Sequence, residues 1–250
     1  MKANRALVCG HRGDCVSRPE QTLSSYERAI VLGAKYIELD VRLSSDGNLV
    51  VIHDATLDRT TSGSGLVKDF TLSQIKEFDA GRWFNQSFAN AQVPELSEVL
   101  DSVGRQVSIC IEIKDDGATE SISGALAKLL IEKNLMNDHF ISSFNLDCLG
   151  RLRSEFPNIR LLPWMPEDCP ADLERDLTSL RRVGAIGMFH TASLLWPDYV
   201  SAVKNEGFQV WVWSSAVSED ISHALSLSPD VVSCGDVDGV IRQLEGLGTE

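Results

Sequence analysis

Short apolar runs, most of them rich in β-branched residues, alternate along the chain with segments in which apolar residues recur every three or four positions. The short runs are typical of buried β-strands, and the longer spacing is typical of helices that cover them. Two helical examples are Leu23, Tyr26 and Ile30, and the segment from Ile122 to Leu130. This repeated alternation predicts a parallel sheet with helices packed on its outer face.

Nine segments have the strand pattern. They are residues 6–11, 36–41, 49–54, 107–114, 140–144, 159–164, 185–189, 208–213 and 230–234. So many strands in one chain favour a closed TIM (β/α)8 barrel, in which eight parallel strands alternate with helices. One candidate is in excess, and Ser45, Asp46 and Gly47 predict a tight hairpin turn where a helical crossover would not fit. We therefore expect the barrel to be irregular near its second and third strands.

Residues 55–94 interrupt the alternation. The segment begins with the turn-forming sequence DRTTSGSG and continues with a short helix, for which Thr71 and Gln74 predict a capping box. Roughly forty residues would make only a marginal core alone, so we interpret the segment as an insertion that leaves the barrel near the site. Its aromatic side chains, Trp83 and Phe84 among them, are expected to cover the site and shape selectivity.

Composition narrows the class of protein. Apolar residues make up 43% and charged residues 24% of the 250 residues, as in globular proteins, and one domain over residues 1–250 is expected. The net charge of −13 argues against nucleic acid or an anionic membrane surface as a partner. The apolar runs are too short for stable membrane insertion or a signal peptide. The six cysteines lack CxxC spacing, so we expect reduced thiols in a cytoplasmic protein.

Acidic residues lie where strands end, which is where barrels of this type hold their working residues. Glu38 and Asp40 share one face of their strand because alternate side chains point the same way. Neighbouring carboxylates repel each other, and a hard divalent cation is the usual remedy, although a solvated acidic edge strand has the same pattern. A later strand ends with Glu112 and Lys114 on one face, and these two side chains could also pair with each other.

Histidines and an arginine lie at other strand ends. The first strand runs into His11, Arg12 and Gly13, and the third ends at His53. Acids that bind a cation, cations that bind an anion and imidazoles that move protons form a coherent catalytic set. The structural alternatives are a buried, hydrogen-bonded core histidine and an exposed arginine.

The remaining histidines and two tryptophans have weaker positions. His139 precedes its strand and should lie at the opposite end of the barrel, and His223 lies on a predicted helix. His190 follows a strand and is a candidate for the rim. Trp211 and Trp213 share a strand face, and Trp213, nearer the strand's end, is the better candidate for the wall of the site.

The stretches around these residues resemble the glycerophosphodiester phosphodiesterase family. They are HRG (11–13), PEQT (19–22), IELDV (37–41), VVIHDATLDRTTSGSG (50–65), FTLSQIKEFDAGRWF (70–84), IEIK (111–114), ISSFN (141–145) and VWVW (210–213). The resemblance spans nearly the whole chain and implies a TIM barrel with an insertion at the position noted above. It also implies hydrolysis of deacylated phospholipids, such as glycerophosphocholine or glycerophosphoethanolamine, to an alcohol and sn-glycerol 3-phosphate.

The resemblance implies a role for each candidate residue. Glu38, Asp40 and Glu112 are expected to bind one divalent cation, Mg²⁺ or Ca²⁺. His11 is expected to act as the acid and His53 as the base. The attacking group is either the glycerol 2-hydroxyl of the substrate, which would give a cyclic phosphate, or water.

The same resemblance implies that Arg12 and Lys114 bind the phosphate, that Trp213 lines the substrate site, and that Glu20 lies in the acidic cluster. The chain also departs from the family pattern. Gln21 stands where Asn is usual, Ala216 replaces an Asn, and the sequence SCG replaces an acidic strand end. These departures are expected to affect the alcohol pocket and not the phosphodiester chemistry.

Two other functions remain as alternatives. A lysophospholipase D-like phosphodiesterase would need an apolar groove for an acyl chain. A catalytically silent barrel that binds phosphodiesters would be favoured by loss of a histidine or a metal-binding acid. The sequence retains every residue expected to carry out the chemistry, which favours the metal-dependent phosphodiesterase.

Overall fold

The structure is a computed structural model that describes residues 5–114 and 119–246. Its strands are β1 (Leu7–His11), β2 (Tyr36–Leu43), β3 (Leu49–Val51), β4 (Ser108–Ile113), β5 (Phe140–Ser142), β6 (Arg160–Leu161), β7 (Gly187–Thr191), β8 (Gln209–Trp213) and β9 (Val231–Cys234). All except β3 are parallel neighbours in the order β6-β5-β4-β2-β1-β9-β8-β7. A parallel bridge between Trp164 and Phe189 joins the two ends of that row. The predicted TIM barrel is confirmed.

The excess strand candidate is β3, which pairs antiparallel with β2 so that Val51 lies opposite Val41. The predicted hairpin turn is present, with Gly47 at a φ of 80°. A positive φ of this kind carries little steric cost for glycine. His53 therefore lies in the loop after this hairpin and not, as the sequence suggested, at the end of a barrel strand.

Helices cover the outside of the barrel. They are α1 (Leu23–Leu32), α2 (Leu72–Ile75), α3 (Leu96–Ser102), α4 (Thr119–Glu132), α5 (Leu146–Glu155), α6 (Leu173–Val183), α7 (Pro197–Asn205), α8 (Ser218–Ser226) and α9 (Val237–Gly246). Helix α1 begins after Thr22, whose hydroxyl accepts the Ser25 N–H, and ends at Gly33 with a φ of 103°. In the described parts of the chain, no helix combines the length and apolar character that a membrane crossing requires.

Side chains alternate between the outer and inner faces of the strands, and this divides the apolar residues of the barrel into two cores. On β2, Ile37, Leu39 and Val41 point outward and pack in the large core between barrel and helices. A smaller core inside the barrel contains Phe140 and Trp211. Apolar side chains thus fill the barrel interior, while the charged side chains of β2 crowd its carboxyl-terminal mouth.

A small core joins the insertion to β3 and the residue that follows it. It consists of Val50, Ile52, Leu57, Val67, Ile75, Ala80 and Val93. The predicted capping box between Thr71 and Gln74 begins helix α2 and is confirmed. Phe78 packs against this core, whereas Trp83 is 41% exposed and donates a hydrogen bond from its indole to the Ala80 carbonyl. Coverage of the site by Trp83 and Phe84 stays a prediction.

Two histidines are buried away from the barrel mouth. His190 lies in β7 on the same face as Met188, which packs in the outer core, so the prediction that His190 lines the rim is wrong. His139 precedes β5 at the amino-terminal end of the barrel, where its Nδ1 accepts a hydrogen bond from the Ile109 N–H at 3.2 Å. Burial lowers the pKa of His139 to about 4.

The buried His139 predicts a pH-dependent loss of stability. Because its pKa is near 4 when folded and about 6.5 when unfolded, the unfolded chain binds more protons between these values. This residue should therefore lower the free energy of unfolding by up to roughly 3 kcal/mol as the pH falls through that window. His139→Asn keeps an acceptor for the Ile109 N–H and removes the titration. In urea denaturation at several pH values, the free energy of unfolding should fall less steeply with decreasing pH for the variant than for the parent protein. The same pH dependence for both proteins would contradict the lowered pKa.

Candidate active site

The turn after β1 fixes the position of Arg12. Arg12 and Gly13 both have left-handed backbones, with φ values of 58° and 84°. The Arg12 N–H donates to the Glu38 carbonyl at 3.1 Å, and the Gly13 N–H donates to the Gly10 carbonyl at 3.1 Å. The hydroxyl of Ser25, at the start of α1, donates to the Arg12 carbonyl at 3.1 Å. Strand β2 and helix α1 together hold this turn at the barrel mouth.

Three carboxylates from β2 and β4 meet at the mouth. Oxygen atoms of Glu38, Asp40 and Glu112 all lie within 4.8 Å of one another, and the three side chains are buried. Asp40 is directly opposite Glu112 in the pairing of β2 with β4. The structure thus brings together the three acids that the sequence predicted as metal ligands.

Two cations partly compensate this negative charge. The Lys114 ammonium lies 2.7 Å from Asp40 Oδ1 and 2.6 Å from Glu112 Oε1, and Arg12 Nε lies 3.5 Å from Asp40 Oδ2. Burial disfavours the Asp40 carboxylate, but the charges of Lys114 and Arg12 outweigh burial and hold its pKa well below the usual range. Burial and then the charge of Asp40 raise the pKa of Glu112 to about 7, and burial raises the pKa of Glu38. The compensation is therefore incomplete.

The group of three carboxylates fits a divalent cation. Glu38 Oε1 is buried, and within residues 5–114 and 119–246 it accepts no hydrogen bond. A buried carboxylate oxygen without a donor is costly, and repulsion among three acids adds to that cost. A hard cation such as Mg²⁺ or Ca²⁺ takes oxygen ligands, so it would bind the unpaired Glu38 oxygen and reduce the repulsion among the three acids. Protein zinc sites, in contrast, usually include histidine or cysteine.

Arg59, which lies in the insertion, connects two acids at the mouth. Its Nε donates to Asp54 Oδ2 at 2.6 Å, and its other nitrogens donate to Glu20 at 2.8 and 2.9 Å. Arg12 also donates to Glu20 at 3.1 Å, so Glu20 lies next to the three-carboxylate group and not within it. The sequence motif contained Arg59, but nothing in the local pattern assigned it a partner.

Asp54 orients His53. The hydrogen bond from Arg59, despite partial burial, holds the pKa of Asp54 well below its usual range, so this carboxylate is ionised and can only accept. His53 Nδ1 lies 2.6 Å from Asp54 Oδ1 and must therefore carry the hydrogen that it donates. Burial lowers the pKa of His53, which favours the neutral ring with Nε2 as an acceptor.

His11 has the opposite tautomer. The Trp213 indole N–H can only donate, and it points at His11 Nδ1 from 3.3 Å. Nδ1 is therefore an acceptor, and the hydrogen of the neutral ring lies on Nε2, which is 3.8 Å from Glu38 Oε2. Burial and then the charge of Arg12 lower the pKa of His11. The mouth thus holds one imidazole that presents an N–H and one that presents a lone pair.

Gln21 contacts the acidic group directly. Its side chain is buried, its Nε2 donates to Asp40, and its Oε1 accepts from the Tyr26 hydroxyl at 2.5 Å. The departure from Asn at this position therefore affects the orientation of Asp40, where the sequence had suggested the alcohol pocket. A φ of 58° is uncommon for glutamine, and the two hydrogen bonds explain why it is retained.

Comparisons with known proteins agree with this geometry. A model of the glycerophosphoryl diester phosphodiesterase family matches residues 11–238. A glycerophosphodiester phosphodiesterase from Caldanaerobacter subterraneus subsp. tengcongensis is 35% identical over 240 residues, which cover 95% of this chain and 97% of that protein.

Solved structures have the same fold. A glycerophosphodiester phosphodiesterase from Agrobacterium tumefaciens superposes with a TM-score of 0.80 at 29% identity, over 95% of this chain and 99% of that one. A phosphodiesterase from Oleispira antarctica in complex with the product sn-glycerol-3-phosphate superposes with a TM-score of 0.85 at 28% identity, over 96% of this chain and 97% of that one.

The turn that carries Arg12 predicts a steric requirement at Gly13. A Cβ added there would lie 2.6 Å from the Ser25 carbonyl carbon, whereas a Cβ at Gly47, with a similar φ of 80°, would have no atom within 4 Å. Both alanine variants are strained by the positive φ, so their difference isolates the clash. Gly13→Ala should lower the free energy of unfolding by about 1–3 kcal/mol more than Gly47→Ala in urea denaturation. Equal losses would show that helix α1 moves aside at no cost.

Proposed function

The chain belongs to the glycerophosphoryl diester phosphodiesterase family, and we propose that it hydrolyses glycerophosphodiesters such as glycerophosphocholine and glycerophosphoethanolamine with the help of a divalent cation and two histidines. Membership of this family makes the protein an enzyme that cleaves phosphodiesters. The products would be an alcohol and sn-glycerol 3-phosphate. The supporting observation is that three buried carboxylates, two cations and two imidazoles of opposite tautomer meet at one barrel mouth.

The cation would be held by Glu38, Asp40 and Glu112. When bound, a divalent cation polarises a phosphoryl oxygen and orients hydroxyl groups of the substrate. Two observations support this assignment: no described residue donates a hydrogen bond to Glu38 Oε1, and the pKa of Glu112 is raised. Both reflect negative charge that the described part of the protein leaves uncompensated. The all-oxygen ligand set favours Mg²⁺ or Ca²⁺.

The phosphate would bind to Arg12 and Lys114. Both side chains are largely buried beside the carboxylates, and the charges of Asp40 and Glu112 outweigh burial in raising the pKa of Lys114. Both groups therefore stay charged across the physiological range. Fixed positive charges in a site with little water favour the negative charge that accumulates on the phosphoryl oxygens during cleavage.

The proton transfers would be divided between the two imidazoles. His53 presents a lone pair, which suits removal of a proton from the attacking oxygen, and its bond to Asp54 keeps that lone pair exposed. His11 presents an N–H that suits a hydrogen bond to the departing oxygen, and protonation of that alkoxide would draw on the imidazolium form of His11, which returns to the neutral ring. The charge of Asp40 favours that form. The attacking oxygen would come from the glycerol 2-hydroxyl or from water. Trp213, Asp54 and Arg59 would be positioning residues for this pair.

Metal removal should abolish activity. Chelated protein should release no sn-glycerol 3-phosphate from glycerophosphocholine, and Mg²⁺ or Ca²⁺ should restore release because either can bridge the three acids. Calorimetric titration should show one site per chain that Glu38→Gln weakens strongly. Glu27→Gln, at an exposed carboxylate on α1, is the matched control and should bind normally.

Full turnover by protein shown to be free of metal would contradict metal dependence. A preference for lysophosphatidylcholine over glycerophosphocholine would instead favour the lysophospholipase D alternative.

Loss of either catalytic histidine should reduce kcat while the fold persists. His11→Ala and His53→Ala should each lower kcat on glycerophosphocholine by roughly 10²–10⁴-fold, the usual contribution of a positioned acid or base. A nitrophenyl ester needs little protonation on departure, so it should rescue His11→Ala and not His53→Ala. His223→Ala, on the outer helix α8, is the control and should keep normal kcat. Near-normal rates for both catalytic variants would show that the pair is misassigned, and rescue of only His53→Ala would reverse the two roles.

A further inference from the structure

Three aromatic side chains form a continuous stack that ends at the barrel mouth. The rings of Phe189 and Trp164 are nearly parallel with centroids 4.0 Å apart, and Phe144 stacks on Trp164 with centroids 5.4 Å apart. Phe189 and Trp164 belong to the core inside the barrel, whereas Phe144 is 46% exposed. The stack thus presents one open aromatic surface to the solvent at the mouth.

The strand register places Phe144 close to the phosphate-binding cations. Ser142 on β5 lies opposite Glu112 on β4. Phe144 and Lys114 lie two residues beyond Ser142 and Glu112, just past the ends of β5 and β4. The stack on Trp164 keeps the Phe144 ring on the inner side of the barrel. Adjacent strands are separated by ~4.8 Å and successive residues by ~3.3 Å. A phosphodiester held by Lys114 would therefore place its alcohol part within reach of the Phe144 ring.

A carboxylate lies on the same side of the mouth. Glu167 accepts a hydrogen bond from the Thr191 hydroxyl on β7. Thr191 is opposite Trp213 in the β7–β8 pairing, and Trp213 donates to His11, so Glu167 is level with the catalytic pair. A cavity of about 410 Å³ is lined by Phe144, Trp164 and Glu167 and extends to Leu146 of α5 and Ser179 of α6. That volume accommodates a small organic cation.

Arg175 also lines this cavity, but its charge is compensated. Its Nε donates to Asp176 at 2.8 Å, and its remaining nitrogens contact Cys169 and the Pro170 carbonyl. Asp168 adds a second acid to the lining. The wall formed by β5, β6 and their loops is therefore aromatic and net negative, whereas the adjacent part of the mouth, at the ends of β1 and β4, carries Arg12 and Lys114.

We propose that Phe144 and Glu167, with Trp164 supporting the Phe144 ring from behind, form a cation subsite. This subsite binds the positively charged alcohol part of the substrate and makes the enzyme select ammonium-bearing glycerophosphodiesters over neutral ones. This inference rests on the proposed function, because it takes the phosphate to lie at Arg12 and Lys114. A zwitterionic substrate matches the mouth at both ends: its phosphate faces the two cations, and its ammonium group faces the aromatic ring and the carboxylate.

The test compares glycerophosphocholine with its carbon isostere, in which a quaternary carbon replaces the nitrogen. The two substrates have the same size and shape and differ only in charge. The ratio of their kcat/KM values should favour glycerophosphocholine by roughly 3- to 30-fold, as expected for a cation on an aromatic face. Release of sn-glycerol 3-phosphate from both substrates at equal kcat/KM would overturn the cation subsite and leave the proposed function standing. Release from neither would overturn the proposed function, and this inference with it.

Variants of Phe144 and Glu167 test whether these two residues cause the selectivity. Phe144→Leu removes the ring, and Glu167→Gln removes the charge while keeping an acceptor for the Thr191 hydroxyl. Each should bring the ratio towards one, because kcat/KM should fall more for glycerophosphocholine than for the isostere. Phe144→Tyr keeps the ring and should keep the ratio. Glu206→Gln, at the end of α7 and before β8, lies at the amino-terminal end of the barrel, away from the mouth, and is the charge control. A ratio unchanged by both Phe144→Leu and Glu167→Gln would place the selectivity elsewhere and overturn the assignment.

Discussion

The mouth of this barrel is organised by the electrostatics of Asp40. Its carboxylate is buried among other acids and stays ionised because Lys114, Arg12 and Gln21 all contact it. An isolated buried charge would be prohibitively costly, so these partners must be held in place by the fold. The two cations do not balance the charge of the three acids, and the remaining negative charge is the physical reason why the site fits a divalent cation.

The supports of Asp40 are part of the fold itself. Ser25 and Tyr26 are neighbours on helix α1. The Ser25 hydroxyl donates to the Arg12 carbonyl in the turn after β1, and the Tyr26 hydroxyl donates to the Gln21 amide oxygen. The first helix therefore serves both as packing for β2 and as a support for the acidic group. Changes at these buried positions should alter the site and the stability of the barrel together, because the same contacts serve both.

The two halves of the mouth differ in chemistry. Strands β1, β2 and β4 and the residues at their ends carry the three acids with Arg12 and Lys114, while β5 to β7 and their loops carry aromatic rings and Glu167. The histidines come from different structural contexts: His11 ends a barrel strand, and His53 follows the antiparallel hairpin and is held by the insertion through Arg59. The irregular start of the barrel thus brings His53 to the mouth, where a regular strand and helix would not place it.

Local physics made much of this protein predictable from sequence. Alternation along a strand placed Glu38 beside Asp40, Ser45 to Gly47 predicted the hairpin, and apolar periodicity predicted the barrel, because each depends on neighbouring residues alone. The tertiary structure decided the rest. Arg59 reaches Glu20 across 39 positions, and His190 faces the helices instead of the rim. Such contacts depend on how distant segments pack, and no local pattern carries that information.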